Sequence, residues 1–201
     1  MRQARGRTIG AIKRLRQAQG GVAAVEFALI VPLLLLIYVG TIEASSLITM
    51  DRKVQAISGA LGDLVARAED RLPTSDLRDY FRAASGIMTP YAVSEVRQTV
   101  TVVSISPTGS TSVEWSQEFF GGTYENGMLV GGTYQANAAH PYGSSYPVPE
   151  EMIAISLGGT VIAAEASYSY LPLFGIVFDQ PINLRRASFF APRFPGTIRL
   201  N

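Results

Sequence analysis

The chain has 201 residues with no cysteine and a single histidine, which excludes disulfides, thiol catalysis and metal sites built from cysteines or several histidines. Six of its seventeen basic residues precede Val22 and all sixteen acidic residues follow it, so the chain from Val22 onward carries a net charge of −5. The sequence has no basic patch of the kind that would predict nucleic acid binding. No constellation of side chains predicts catalysis, so we expect a non-enzymatic protein without metal or cofactor.

A basic leader, residues 1–21, precedes an apolar run of membrane length, residues 22–42, in which Glu26 is the one charged residue. A helix needs about 20 residues to cross about 30 Å of hydrocarbon, whereas a core helix of a soluble protein usually keeps a polar face. The leader predicts a cytoplasmic N-terminus and an exported remainder. Glu43, beyond the far end of the run, is expected to be solvated.

A secretory signal peptide has the same order of basic and apolar regions and is the main alternative. Glu26 would interrupt its apolar region, and no small-x-small cleavage site follows cleanly in residues 40–46. Helical spacing also continues past the run, which predicts one long helix over residues 22–71. Its outer half carries an apolar stripe that is predicted to pack on the chain's own globular domain, on neighbouring subunits, or on both. The stripe comprises Leu47, Met50, Val54, Ile57, Leu61, Leu64 and Ala68.

Residues 72–201 are predicted to form one α+β domain with a small antiparallel sheet, and the long transmembrane and amphipathic helix is predicted to pack on that sheet. Leu72 and Pro73 break the long helix, Thr74 or Ser75 caps a short one, and Gly86 ends it. Alternating and β-branched residues then predict strands, the first two of which read as a hairpin. The predicted strands are residues 96–106, 112–119, 152–157, 161–170 and 187–191.

A segment rich in glycine and tyrosine, residues 120–150, lacks a clear period and contains the histidine, His140. It repeats Gly-Gly-Thr-Tyr at residues 121–124 and 131–134. Two symmetric turns around a small hairpin at residues 128–130 would explain the repeat, and a tyrosine-rich contact surface is the other interpretation. His140 is expected to be a solvated loop residue away from any catalytic pattern.

The residues Gly21-Val22-Ala23-Ala24-Val25-Glu26-Phe27 resemble the cleavage signature of type IV pilin-like proteins, in the form found in the Tad (Flp) pilus system. The continuation through residues 28–36, with Gly40 and Glu43, is similar to the TadE-like pseudopilins. TadF-like relatives share the same start. Residues 165–173 and 191–193 also resemble the C-terminal half of the TadE-like family.

The resemblance implies a minor pilin that acts in the assembly or structure of a Tad pilus. A prepilin peptidase would cut between Gly21 and Val22, and Glu26 and Phe27 would serve assembly and register. Glu26 would neutralise the Val22 amine of an adjacent subunit; otherwise it lies at headgroup depth and has little effect. The implied partners are the peptidase, other pilins and pseudopilins, the assembly platform and the bacterial inner membrane.

A second hypothesis is a single-pass periplasmic module that is never cleaved. Its helix would stay in the membrane as a signal anchor, and the segment at residues 120–150 would bind a ligand or partner. The two hypotheses differ in the fate of the leader.

Overall fold

The computed structural model describes residues 20–172, 175 and 180–201. The chain divides into two compact units, Met1–Ser45 and Ser46–Asn201, and helix α1 (Gly20–Ala66) contributes to both. Most of the predicted leader, residues 1–19, lies outside the described residues. The fold is α+β, as predicted: a long N-terminal helix and an antiparallel sheet of five strands.

The first unit is described by the start of α1, which is apolar on all sides. Its best 18-residue window has a mean hydropathy of 2.6, and none of that window is buried within the chain. Leu29 is 73% exposed and Phe27 67%. A helix that is apolar all round needs a membrane or other helices around it, so length and composition make this segment compatible with a membrane anchor. Glu43 is 2% exposed, so the expectation that it is solvated is wrong.

Helix α1 ends at Ala66, five residues before the predicted end at residue 71. The Ala66 carbonyl accepts a hydrogen bond from the backbone N–H of Arg193 (2.9 Å). Arg71 and Leu72 instead form strand β1, which pairs in parallel with β9 (Arg199–Leu200). The predicted helical stripe runs on as far as Ala68, and the backbone N–H groups of Arg67 and Ala68 still bond to carbonyls of α1. From Asp70 onward the backbone pairs instead with residues 199–201.

The main sheet of the second unit has the strand order β6-β3-β2-β7-β8, with antiparallel neighbours throughout. The predicted hairpin of the first two long strands, β2 and β3, is confirmed. One bulge lies between Val102 and Val103. The strands of this sheet are β2 (Val96–Ile105), β3 (Thr111–Phe120), β6 (Thr133–Ala136), β7 (Thr160–Tyr170) and β8 (Ile182–Phe190).

The outer part of α1 packs on one face of this sheet, which confirms the prediction that the stripe serves the chain's own domain. Gly62 lies so close to β8 that an added Cβ would overlap the Phe190 ring. The Ser58 hydroxyl is 2.9 Å from that of Ser188, and Arg186 binds Asp51 at 2.6 Å. The fully buried members of the stripe are Met50, Val54, Ile57 and Leu61, and Val65 joins them.

The second helix, α2 (Thr74–Ser85), closes the same core. Its Phe81 is completely buried, with its ring centroid 5.8 Å from that of Phe119. The predicted side-chain cap is wrong, because Pro73 occupies the N-cap position and the Thr74 hydroxyl bonds to the carbonyl of Asn201 instead. Proline suits the start of a helix because its missing N–H would have no partner there.

Two predictions for the C-terminal part are wrong. Residues 152–157 are not a strand, because most of them belong to a short helix, α3 (Glu150–Ile155). Two carboxylates lie in its first turn, where the helix dipole stabilises negative charge. Strand β8 begins at Ile182, five residues before the predicted start at residue 187. Its central residues Arg185 and Arg186 are charged, and this hides the alternation that usually reveals a strand.

The segment rich in glycine and tyrosine holds three short strands. Strands β4 (Thr123–Glu125) and β5 (Met128–Val130) form the predicted small hairpin. Asn126 and Gly127 turn it with φ values of 51° and 80°, as a two-residue hairpin turn requires. Strand β6 then pairs with β3 and joins the main sheet. The interpretation as a hairpin between symmetric turns is therefore confirmed, while the contact surface stays a prediction.

The other face of the sheet is half apolar and half polar. A small cluster around Val103, Val161 and Tyr146 is covered by the chain that leads into α3. Away from this cluster, towards the start of β2 and the end of β7, the same face carries charged and hydroxyl side chains, including Thr99 and Glu165.

Candidate processing and assembly segment

The predicted site residues Gly21, Val22, Glu26 and Phe27 all lie in the first two turns of α1 and are exposed. A Cβ added at Gly21 would meet nothing within 4 Å. Glycine also costs a helix about 1 kcal/mol relative to alanine. The packing of this chain therefore gives no reason for glycine at position 21.

Val22 and Glu26 are four residues apart, which places them on one face of α1 with about 6 Å between their Cβ atoms. Side chains on a helix lean towards its N-terminus, so the Glu26 carboxylate is directed towards the turn that contains Val22. Phe27 lies beside this pair and is 67% exposed.

The exposed start of α1 is suited to association with other apolar surfaces. Its exposed residues are apolar except for one carboxylate, and in the described part of the chain no group of three or more His, Cys, Asp or Glu side chains could hold a metal ion. Such a surface can insert into hydrocarbon or pack against similar helices. A single charge within it requires an opposite charge or access to the headgroup region.

The sequence reading missed a polar network in the second unit. His140 is half-buried rather than solvated, because its Nε2 lies 2.8 Å from a carboxylate oxygen of Glu165. Arg185 binds the other oxygen at 2.6 Å. Burial raises the pKa of the Glu165 carboxyl, but the hydrogen bonds from His140 and Arg185 outweigh this and hold that pKa below its ordinary value. A glutamate within a buried strand was the signal in the sequence for a partnered charge.

The N-terminal helix contains the part of the chain that matches a known family. Residues 21–58 match the TadE-like protein family. The match begins at Gly21 and includes Val22, Glu26 and Phe27, so the resemblance found in these residues is confirmed, and it links the chain to Tad pilus systems. The resemblance of residues 165–173 and 191–193 lies outside the TadE-like match and stays a prediction. No curated protein and no solved structure gives a match.

Proposed function

We propose that this chain is a TadE-like minor pilin that a prepilin peptidase processes at Gly21 and that acts in the assembly or structure of a Tad pilus. The observation that carries the proposal is a TadE-like match that begins at a glycine for which the fold of this chain has no use. Recognition by a prepilin peptidase would account for a glycine at position 21 that the packing of this chain does not require.

Processing suits the local structure. The peptidase would hold the backbone at Gly21 and Val22 extended, and two consecutive glycines make the first turn of α1 inexpensive to unwind. Cleavage would remove all six basic residues of the leader and leave an α-amine on Val22. That amine would lie on the same helix face as Glu26.

The apolar surface around the start of α1 would have two different environments during assembly. The same surface is compatible with hydrocarbon before assembly and with a helical bundle afterwards. Within the bundle Glu26 would neutralise the Val22 amine of an adjacent subunit, since each charge is costly in an apolar setting without the other. Glu26, with Phe27 beside it, would thereby set the register between subunits.

The proposed topology has the leader in the cytoplasm, a single span in the bacterial inner membrane and the second unit in the periplasm. The proposed partners are the prepilin peptidase, other pilins and pseudopilins, and the assembly platform. No catalytic activity, cofactor or nucleic acid is part of this function. The protein enters the pilus or supports its assembly as a structural component.

Replacing Gly21 with valine is expected to block processing, because a β-branched side chain would obstruct a backbone held extended in the protease. The matched control is Gly20→Ala, which changes the neighbouring glycine in the same helical turn. Immunoblots of membranes from cells with an active prepilin peptidase should show only the full-length chain for Gly21→Val and the shortened chain for Gly20→Ala.

A shortened Gly21→Val product that begins at Val22 would contradict the assignment of the cleavage site. Retention of the leader by the unaltered protein would instead support the uncleaved, anchored binding module.

A further inference from the structure

A polar groove crosses the face of the sheet that faces away from α1 and α2. It is lined by Arg97, Thr99, Glu118, Glu165, Ser167 and Arg185, and its volume is about 360 Å³. An adjoining cavity of about 330 Å³ shares Arg97, Ser167 and Arg185 and extends the groove along β2 and β7. Ligand sites of drug-sized molecules begin at about 300 Å³, so the groove can hold more than a single ion.

The strand register arranges the side chains of the groove in two rows. In the first row Arg97 on β2 is opposite Ser167 on β7, and Ser167 is opposite Arg185 on β8. The two arginine positions are therefore two strands apart, about 10 Å, with a small hydroxyl side chain between them. In the second row Thr99 lies between Glu118 and Glu165.

The two glutamates hold the two arginines in place. Glu118 pairs with Arg97, and Glu165 pairs with Arg185 at 2.6 Å. The glutamate side chains are only 6% and 11% exposed, whereas those of Arg97 and Arg185 are 53% and 67% exposed. A guanidinium has five N–H donors in a fixed plane, so each arginine can bind its glutamate and still present donors to a ligand.

Further contacts fix the geometry. The guanidinium carbon of Arg97 lies 4.6 Å from the ring centroid of Phe120, and His140 bonds to the second oxygen of Glu165. The pKa of the Glu165 carboxyl is held below its ordinary value, so this carboxylate stays charged and keeps its hold on Arg185 at neutral pH. The groove is thus organised before any ligand arrives, which reduces the entropic cost of binding.

We propose that this groove binds a carboxylate-bearing ligand, with the carboxylate above Ser167 between the guanidinium groups of Arg97 and Arg185. Planar guanidinium groups match the geometry of a carboxylate. Two arginines and two glutamates line the groove and Glu95 lines the adjoining cavity, so the site has no net positive charge. This favours a singly charged carboxylate over a phosphate of about two charges. The proposal is independent of prepilin processing, since none of its residues lies in the TadE-like match.

The test is calorimetric titration of the full chain in detergent with acetate, with a capped Ala-Asp-Ala peptide, with its Ala-Asn-Ala counterpart and with inorganic phosphate. We expect saturable binding of the carboxylate probes, weaker binding of phosphate and none of the asparagine peptide. A tenfold preference for the aspartate peptide over acetate would identify an acidic protein segment as the source of the carboxylate, and equal binding would identify free carboxylates.

Arg185→Gln is expected to weaken carboxylate binding at least about tenfold, because it removes one side of the clamp. The matched control is Arg186→Gln, which alters the next residue on the opposite face of β8 and should leave binding unchanged. Ser167→Val, which fills the floor without touching an ion pair, should also weaken binding and covers the case that Arg185→Gln does not fold. Absent carboxylate binding, tighter phosphate binding, or Ser167→Val binding as tightly as the unaltered chain would overturn the proposal.

Discussion

Glu26→Gln is expected to leave the chain inserted in the membrane and processed at Gly21, but to reduce its recovery in sheared pilus fractions at least about tenfold. Glutamine keeps the size and the hydrogen-bonding capacity of the side chain and removes the charge. The Val22 amine of a neighbouring subunit would then be buried without compensation, which costs several kcal/mol. Immunoblots of membrane and pilus fractions, together with the N-terminal sequence of the membrane form, measure both effects.

A charge-preserving control separates register from mere polarity. The double variant Val25→Glu, Glu26→Val keeps one carboxylate at nearly the same depth but rotates it by about 100° around α1. A carboxylate that only reaches the headgroups would tolerate the rotation, whereas one that pairs with a neighbour's amine would not. Recovery of Glu26→Gln at the level of the unaltered protein would show that the charge of Glu26 has no part in assembly. Recovery of the double variant alone would show that Glu26 does not set the register.

Gly132→Ala is expected to lower the free energy of unfolding of the second unit by about 3 kcal/mol, from backbone strain and overpacking together. Gly132 has φ of +87°, and a Cβ there would overlap the Phe119 ring. That ring cannot withdraw, because Phe119 is 1% exposed and its centroid lies 4.6 Å from that of Tyr134. Denaturant unfolding followed by the fluorescence of the single tryptophan, Trp115, measures the change.

The neighbouring glycine provides the control. Gly131 also has a positive φ, +74°, but a Cβ there would come no nearer than 3.9 Å to another atom, the Cα of Gly122. Gly131→Ala should therefore cost only the backbone strain, about 1 kcal/mol. Equal losses at the two positions would show that the contact with Phe119 contributes nothing.

The parts of the fold that could be predicted are those encoded by neighbouring residues. The long helix, the β2–β3 hairpin and the β4–β5 hairpin follow from local spacing and from turn residues such as Asn126 and Gly127. The end of α1 could not be predicted, because Arg71 and Leu72 pair with the last residues of the chain. Residues 152–157 show the limit of short apolar runs, which fit a strand and a short helix equally well.

The processing segment and the groove also differ in how far neighbouring residues encode them. Gly21, Val22, Glu26 and Phe27 lie within seven consecutive residues, so the sequence alone could single them out. The groove depends on the register that brings Arg97, Ser167 and Arg185 into one row across three strands. His140 shows the consequence, because nothing in its own neighbourhood predicts Glu165 as its partner.

The most direct test of the central claim is the N-terminal sequence and intact mass of the protein isolated from its native membrane. A mature chain that begins at Val22 is the predicted result and would establish prepilin-type processing. Retention of the basic leader in cells with an active prepilin peptidase would contradict the account and leave an anchored periplasmic module. A cut between Ala44 and Ser46 would contradict it too, since the chain would then be a secreted domain and Glu26 would be lost with the signal peptide.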